Sequence, residues 1–360
     1  MRLIHATDMD DIALGAAVLG TGGGGDPYIG KLMAIQAIEE HGPVKLIEVD
    51  EIDDDSLAAT CGVMGAPTVF IEKIPNGDEI VRAFQALEVH IGAKLDYTVS
   101  IEAGGFNSTT PFIVAASLRI PLVDADGMGR AFPEMQMVTA TMFGISATPM
   151  AMADEKGNSA IIETIDNRWA ETLARAIVVE MGATAPFAMY SMTGKQLKEV
   201  MIPGTITMAE AIGHTIRKAR ATHQNVVDAV KDVTGGFEIF VGKIVDVERR
   251  TERGFAKGEA TFTGIDRYKA STLKLQFQNE HLVAIVDDEV VVSVPDLITV
   301  LDADTGEPVT TEGMRYGFRV VVVGIPCTPK WRTPEGLELV GPRYFGYDVD
   351  YVPVEQRYGA

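Results

Sequence analysis

The segment Tyr97 to Glu134, YTVSIEAGGFNSTTPFIVAASLRIPLVDADGMGRAFPE, constrains the fold more than any other stretch of the chain. An apolar run from Tyr97 to Ile101 ends at Glu102, Gly104, Gly105 and Asn107. A helix-like stretch, Ser108 to Leu118, follows. A second apolar run, Ile120 to Val123, ends at Asp124, Asp126, Gly127, Gly129 and Arg130. Two neighbouring strands that both end in Gly-rich acidic loops fit a parallel α/β sheet. Ligands in such sheets bind beyond the carboxyl ends of the strands, so the site is expected there.

Upstream, Asp10 and Asp11 open an apolar-periodic helix that breaks at Gly20. The loop Thr21 to Asp26 then carries Gly22 to Gly25, with backbone freedom no other residue supplies. Asp26 and Pro27 suit the start of the next helix. The loop reads either as a tight connection or as an anion or carbonyl site. It is neither a Walker A loop nor a dinucleotide fingerprint, so no nucleotide cofactor is expected. Val44 to Val49 and Thr60 to Gly65 read as strands. The acidic run EIDDDSLAAT between them reads as a helix start. Asn76 to Gly92 holds a turn and a helix. Met150 to Ala153 and Ala160 to Ile165 read as a hairpin, and Asn167 caps a helix running to about Met181. The methionines of MQMVTATMFGI fill core or line a substrate wall.

The texture changes at Thr234-Gly235-Gly236. Beyond it, alternating β-branched runs with Gly, Asp and Asn turns predict an all-β sandwich or barrel-like domain. The expected division is an α/β domain with a largely parallel sheet over 1–234, a β-rich domain over 235–325, and a segment over 326–360 that packs back on the domain interface. Within that last segment Arg343, Tyr344 or Asp348 could reach the cleft. Asp302 to Gly306 resembles a calcium loop, but Gly313 stands where the bidentate glutamate belongs, so it reads as a turn.

A formal net charge of -20 argues against nucleic acid and anionic membranes as partners. Two distant cysteines, Cys61 and Cys327, make no disulfide framework and fit a reduced, cytoplasmic setting. Cys61, inside an apolar run, reads as a buried inert thiol. The acidic N-terminus is unlike a signal peptide.

The chemistry is expected in the acidic loops. Several carboxylates at one site raise each other's pKa and invite a proton or a metal. Asp126, Glu134, Asp124 and Asn107 are the catalytic candidates: an Asp or Glu to move protons, and the Asn107 amide to polarise a carbonyl or imine carbon. Gly22, Gly23, Gly24, Asp26, Glu102, Gly105 and Arg130 are the substrate-binding candidates, Arg130 through its planar fork. Against this, Asp124 or Asn107 could serve only as a helix cap, and Glu134 could be solvated. A divalent metal such as zinc, with distant histidines converging on the acidic cluster, stays open.

The runs LGTGGGGDPY, MGAPTV, EAGGFNS, VDADGMGRAFPEMQM, PDLITVLDADTGEP and VGPRYFGYDVDY resemble the S-methyl thiohydantoin desulfurase-like family over nearly the whole chain. The resemblance implies an N-terminal α/β domain, a C-terminal β-rich domain and hydrolysis of an S-methylated thiohydantoin to a hydantoin and methanethiol. It also implies company with hydantoinase and oxoprolinase subunits. Three readings follow: a hydrolase of small cyclic amides or thioimides, a non-catalytic accessory of an ATP-dependent hydantoinase or oxoprolinase, and a small-molecule binding protein. A homodimer or higher homo-oligomer is the default assembly.

Overall fold

The computed structural model describes residues 1–25, 27–65, 69, 77–252 and 254–359. The first sheet comprises β1 (Arg2–Ile4), β2 (Val44–Ile47), β3 (Leu57–Gly65), β4 (Tyr97–Ser100), β5 (Leu122–Asp126), β6 (Met150–Ala153), β7 (Ser159–Ile162), β8 (Thr184–Thr193) and β9 (Ile202–Pro203). Its order is β1-β2-β5-β4-β3-β8-β6-β7, with β9 on β5. The heart, β2-β5-β4-β3, is parallel. The strands at both flanks pair antiparallel, so the sheet is mixed around a parallel centre. β5 is buried along its whole length, as a central strand covered on both faces must be. Helix Thr110–Leu118 carries the chain from β4 to β5 with nearly every side chain buried.

The second sheet comprises β10 (Phe237–Glu252), β11 (Phe255–Gly264), β12 (Thr272–Gln278), β13 (Glu280–Val286), β14 (Glu289–Ser293), β15 (Leu297–Asp302) and β16 (Arg319–Ile325), in the order β14-β13-β12-β11-β10-β16-β15. Every pair in it is antiparallel. The sheet curls until β13 and β14 meet β15 from the other edge, a half-barrel around Phe240, Phe262, Leu275 and Val322. Of the two forms expected, this is the barrel-like one.

The C-terminal segment is nailed to both parts. Trp331 is fully buried, donates from Nε1 to the Met128 carbonyl at 2.7 Å, and meets Phe132 edge-on at 5.4 Å. Asp296 accepts from the Cys327 and Val354 amides and from the Tyr351 hydroxyl.

Some local expectations change. The acidic run after Glu48 forms a single 3-10 turn, Val49–Glu51, and leads straight into β3. Asp53 accepts from the Asp55 amide and closes a turn instead of starting a helix. Asp166, not Asn167, caps helix Asn167–Glu180. Asp124 and Asp126 lie within β5 and not in the loop after it. Helix Val226–Thr234 was not anticipated. Asp302 accepts from the Asp304 and Thr305 amides, the turn expected there. The calls on Asp26 and on the turn at Asn76 lie outside the described residues. Among the described residues no helix is long and apolar enough to cross a membrane.

Candidate functional site

β4 and β5 pair in parallel, so the loops that follow them lie side by side; the Gly127 amide donates to the Ile101 carbonyl at 3.1 Å. Above them opens a cleft of about 780 Å³, the open space at its mouth included. The Gly23 to Gly25 loop, the end of β3 and the loops after β4 and β5 form its walls, and Asn279 and Glu280 of the second sheet close it. The cleft therefore lies between the two sheets, at the carboxyl ends of the parallel strands.

Two buried carboxyls face into it. Glu102 is 5% exposed and Glu280 is 4% exposed. Burial pushes Glu102 up to about 7, although the Asn107 amide (2.7 Å) and the Phe132 N–H favour its charged form. Glu280 is pushed well above the usual carboxylate range, first by burial and then by the charge of Glu102. Among the described residues its Oε2 has no hydrogen-bond partner. Asp126 lies deeper. Its Oδ1 accepts from the Met128 and Gly129 amides, and burial pushes the group up to about 7 although these amides and the Thr205 hydroxyl favour its anion. Asp126 is fully buried and does not line the cleft, but it lies within electrostatic reach of Glu102.

Close packing explains the glycine loop. A Cβ on Gly23 would lie 1.9 Å from Glu280 Oε1, and one on Gly105 would lie 2.1 Å from the Gly25 carbonyl oxygen. Gly105 also has φ of +40°, where a side chain strains the backbone. Only bare backbone lets the loop run between the first sheet and the Glu280 side chain.

The sequence candidates separate into three groups. Glu102, Asn107, Glu134, Gly23 and Gly24 line the cleft together. Asn107 is a brace: Oδ1 accepts from the Val63 amide, and Nδ2 donates to Glu102 and to the Val63 carbonyl. With both N–H groups engaged, it orients Glu102 instead of polarising a substrate carbonyl. Glu134 stands at the rim and accepts from the Tyr344 hydroxyl (2.6 Å) and from Gln136. Tyr344 thus reaches the cleft edge, whereas Arg343 pairs with Asp348 and Asp350 on the surface.

The second group lies elsewhere. Asp124 caps helix Thr205–Ala221: Oδ1 accepts from the Ile206 and Thr207 amides, and Oδ2 accepts from the Thr207 hydroxyl. Its position inside β5 aims it at that helix and away from the cleft. Arg130 is fully buried, and its donors go to the Ala131, Pro295, Asp296 and His281 carbonyls and to Thr21 Oγ1. All five N–H groups are engaged, so none is left for a substrate carboxylate. Gly22 packs under His281 and Thr311, and Gly105 braces the loop from behind. Asp26, the third group by itself, is not among the described residues.

Sequence reading missed Asn279, Glu280 and Arg175. The signal for the first two was present: NEH interrupts an otherwise apolar, alternating β run. His281, the next residue, is fully buried, donates from Nδ1 to the Ile298 carbonyl at 2.8 Å, and is held down to about 4 by burial, so it is neutral. Among the described residues no three His, Cys, Asp or Glu side chains are grouped to hold a metal ion. Cys61 is buried in the core, with its thiol pushed up to about 12. Of the methionines in MQMVTATMFGI, Met135 lines the cleft while Met137 fills core.

A crystal structure of a protein from Chromobacterium violaceum superposes with a TM-score of 0.80 at 23% identity, covering 98% of this chain and 100% of that one. The likeness establishes a shared fold. No curated protein matches. The S-Me-THD-like N-terminal domain family matches residues 7–164, and the S-Me-THD-like C-terminal domain family matches residues 165–354. Their junction falls inside the first sheet, ahead of β8, so the family division and the division between sheets differ. With both models matching end to end, the chain belongs to the S-Me-THD-like family.

Proposed function

We propose that the cleft hydrolyses a small five-membered cyclic thioimide or amide, with an S-methyl thiohydantoin as the type substrate. The observation that carries this reading is the pair of buried carboxyls, Glu102 and Glu280, brought to one cleft by two different sheets. Their surroundings drive them apart, as acid and base roles require. Glu102 receives two donors that favour its anion and acts as the base on water. Glu280, whose Oε2 meets no donor among the described residues and whose carboxyl is raised well above the usual range, stays protonated and acts as the acid. Water adds its oxygen to the C=N carbon and gives a proton to Glu102, while the ring nitrogen takes the Glu280 proton. The C–S bond then breaks, the new hydroxyl becomes the ring carbonyl, and methanethiol leaves with the Glu102 proton. The proton released by the hydroxyl returns to Glu280. The apolar part of the wall, including Phe106, Phe132 and Phe187, suits a planar ring and a thioether methyl group.

The test is methanethiol release from an S-methyl thiohydantoin by purified protein. Glu280→Gln and Glu102→Gln, each shown to be folded, should lower kcat by roughly 10²-fold or more, the usual weight of a positioned acid or base. Full turnover in both variants would remove the pair from the chemistry.

A further inference from the structure

Successive residues of a strand project to opposite faces of the sheet, so neighbours in sequence do not ordinarily share a pocket. Asn279 and Glu280 do: both line the cleft. The reason lies in the backbone between β12 and β13. Gln278 pairs with Glu280, and Asn279 alone makes the connection, with φ of +57°. This is the left-handed region, which asparagine tolerates better than most residues that carry a side chain. The turn breaks the alternation and brings Asn279 to the same cleft as the Glu280 carboxyl.

Asn279 is clamped to Ala256. Its backbone N–H donates to the Ala256 carbonyl and its Oδ1 accepts from the Ala256 amide, both at 2.8 Å. Only the oxygen of the side-chain amide can accept that N–H, so the orientation of the amide is fixed and Nδ2 carries two N–H groups of its own. Among the described residues Nδ2 has no hydrogen-bond partner, and the residue is half-buried. Several other groups of the lining are acidic or already spent. Glu102, Glu134 and Glu280 are carboxyls, both Asn107 N–H groups are engaged, and Arg175 donates to Glu171 and the Gly254 carbonyl.

We propose that Asn279 is a catalytic residue: Nδ2 donates to the ring carbonyl next to the attacked C=N bond, while Glu280 protonates the nitrogen between them. This rests on the hydrolase reading for the reaction, but not for the recognition of a ring carbonyl. When water adds to the C=N carbon, the electron pair of that bond moves to the ring nitrogen. The nitrogen is acylated by the carbonyl, so charge spreads to the carbonyl oxygen until the Glu280 proton has been transferred. An N–H held at that oxygen stabilises the charge as it forms, and is not itself given up. Neighbouring atoms on one edge of the ring are thus served by neighbouring residues of one turn.

Two variants and two ligands test this. Asn279→Gly accepts the left-handed backbone without strain and removes the amide. Asn279→Asp keeps an acceptor for the Ala256 amide and replaces the N–H groups by a second oxygen. Each should lower kcat for an S-methyl thiohydantoin by about 10²-fold, with a smaller effect on KM. Calorimetry then compares hydantoin with imidazolidin-2-one, which lacks the second carbonyl. The wild type should bind hydantoin about 10-fold more tightly, and both variants should bring that ratio close to one. Undiminished kcat in either folded variant, or a hydantoin preference that is absent in the wild type or survives in the variants, overturns the proposal and leaves the hydrolase reading intact. If the wild type releases no methanethiol, that reading falls instead, and the hydantoin preference alone decides the role of Asn279.

Discussion

At the scale of single residues, the cleft depends on what is missing from Gly23. Its backbone does not need a left-handed conformation, so alanine is acceptable there in isolation; the obstacle is Glu280 Oε1, 1.9 Å from the Cβ it would carry. Gly23→Ala should therefore act through Glu280. Turnover should fall about as far as in Glu280→Gln, and stability should drop by about 1–3 kcal/mol from overpacking. Removing the obstructing carboxyl should relieve the strain, so Gly23→Ala with Glu280→Ala should be more stable than the sum of the single changes predicts. Urea unfolding of the four proteins measures this. Additive losses would show that Gly23 is constrained by something other than the cleft wall.

At the scale of elements, the parallel centre and the β-rich second half were legible because periodicity reports them directly. Runs ending in Gly-rich acidic loops marked β4 and β5, and short alternating runs after Gly235 marked the second sheet. The direction of individual side chains was not legible. Asp124 and Asp126 are two residues apart on one strand, yet one caps a helix that begins about eighty residues later and the other turns into the loop after β5. Nothing local distinguishes them, because the partner of Asp124 is supplied by tertiary packing. Glu280 was hidden for a similar reason: its sheet had to fold against the first before its carboxyl had a cleft to face. If Asp124 serves as the cap of helix Thr205–Ala221, Asp124→Ala should cost about 1–2 kcal/mol in urea unfolding. Lost turnover with stability intact would return Asp124 to the chemistry.

At the scale of the molecule, the two sheets are joined through buried polar groups such as Arg130, which donates to the Asp296 and His281 carbonyls, and near that seam lie three carboxyls that burial pushes above their ordinary range. Glu102 and Asp126 are held up to about 7, from ordinary values of 4.5 and 3.8, and Glu280 is raised well above its ordinary value. Between about pH 4.5 and 7 the unfolded chain releases the Glu102 proton while the folded chain keeps it. The folded state then binds more protons, so the contribution of this group to stability falls as pH rises across that window and levels off above it. Other carboxylates, such as Asp54 beside Lys198, are shifted the opposite way, so the bulk pH profile mixes both signs. A comparison with Glu102→Gln isolates one group, since glutamine keeps the shape and cannot ionise. The stability of the variant relative to the wild type should rise from pH 5 to pH 8, read as a widening difference in Tm in favour of the variant. A difference that stays constant over that range would mean that Glu102 ionises as readily in the cleft as in water. The acid–base pair proposed for the reaction would then lose its base with the raised pKa, whatever the turnover data showed.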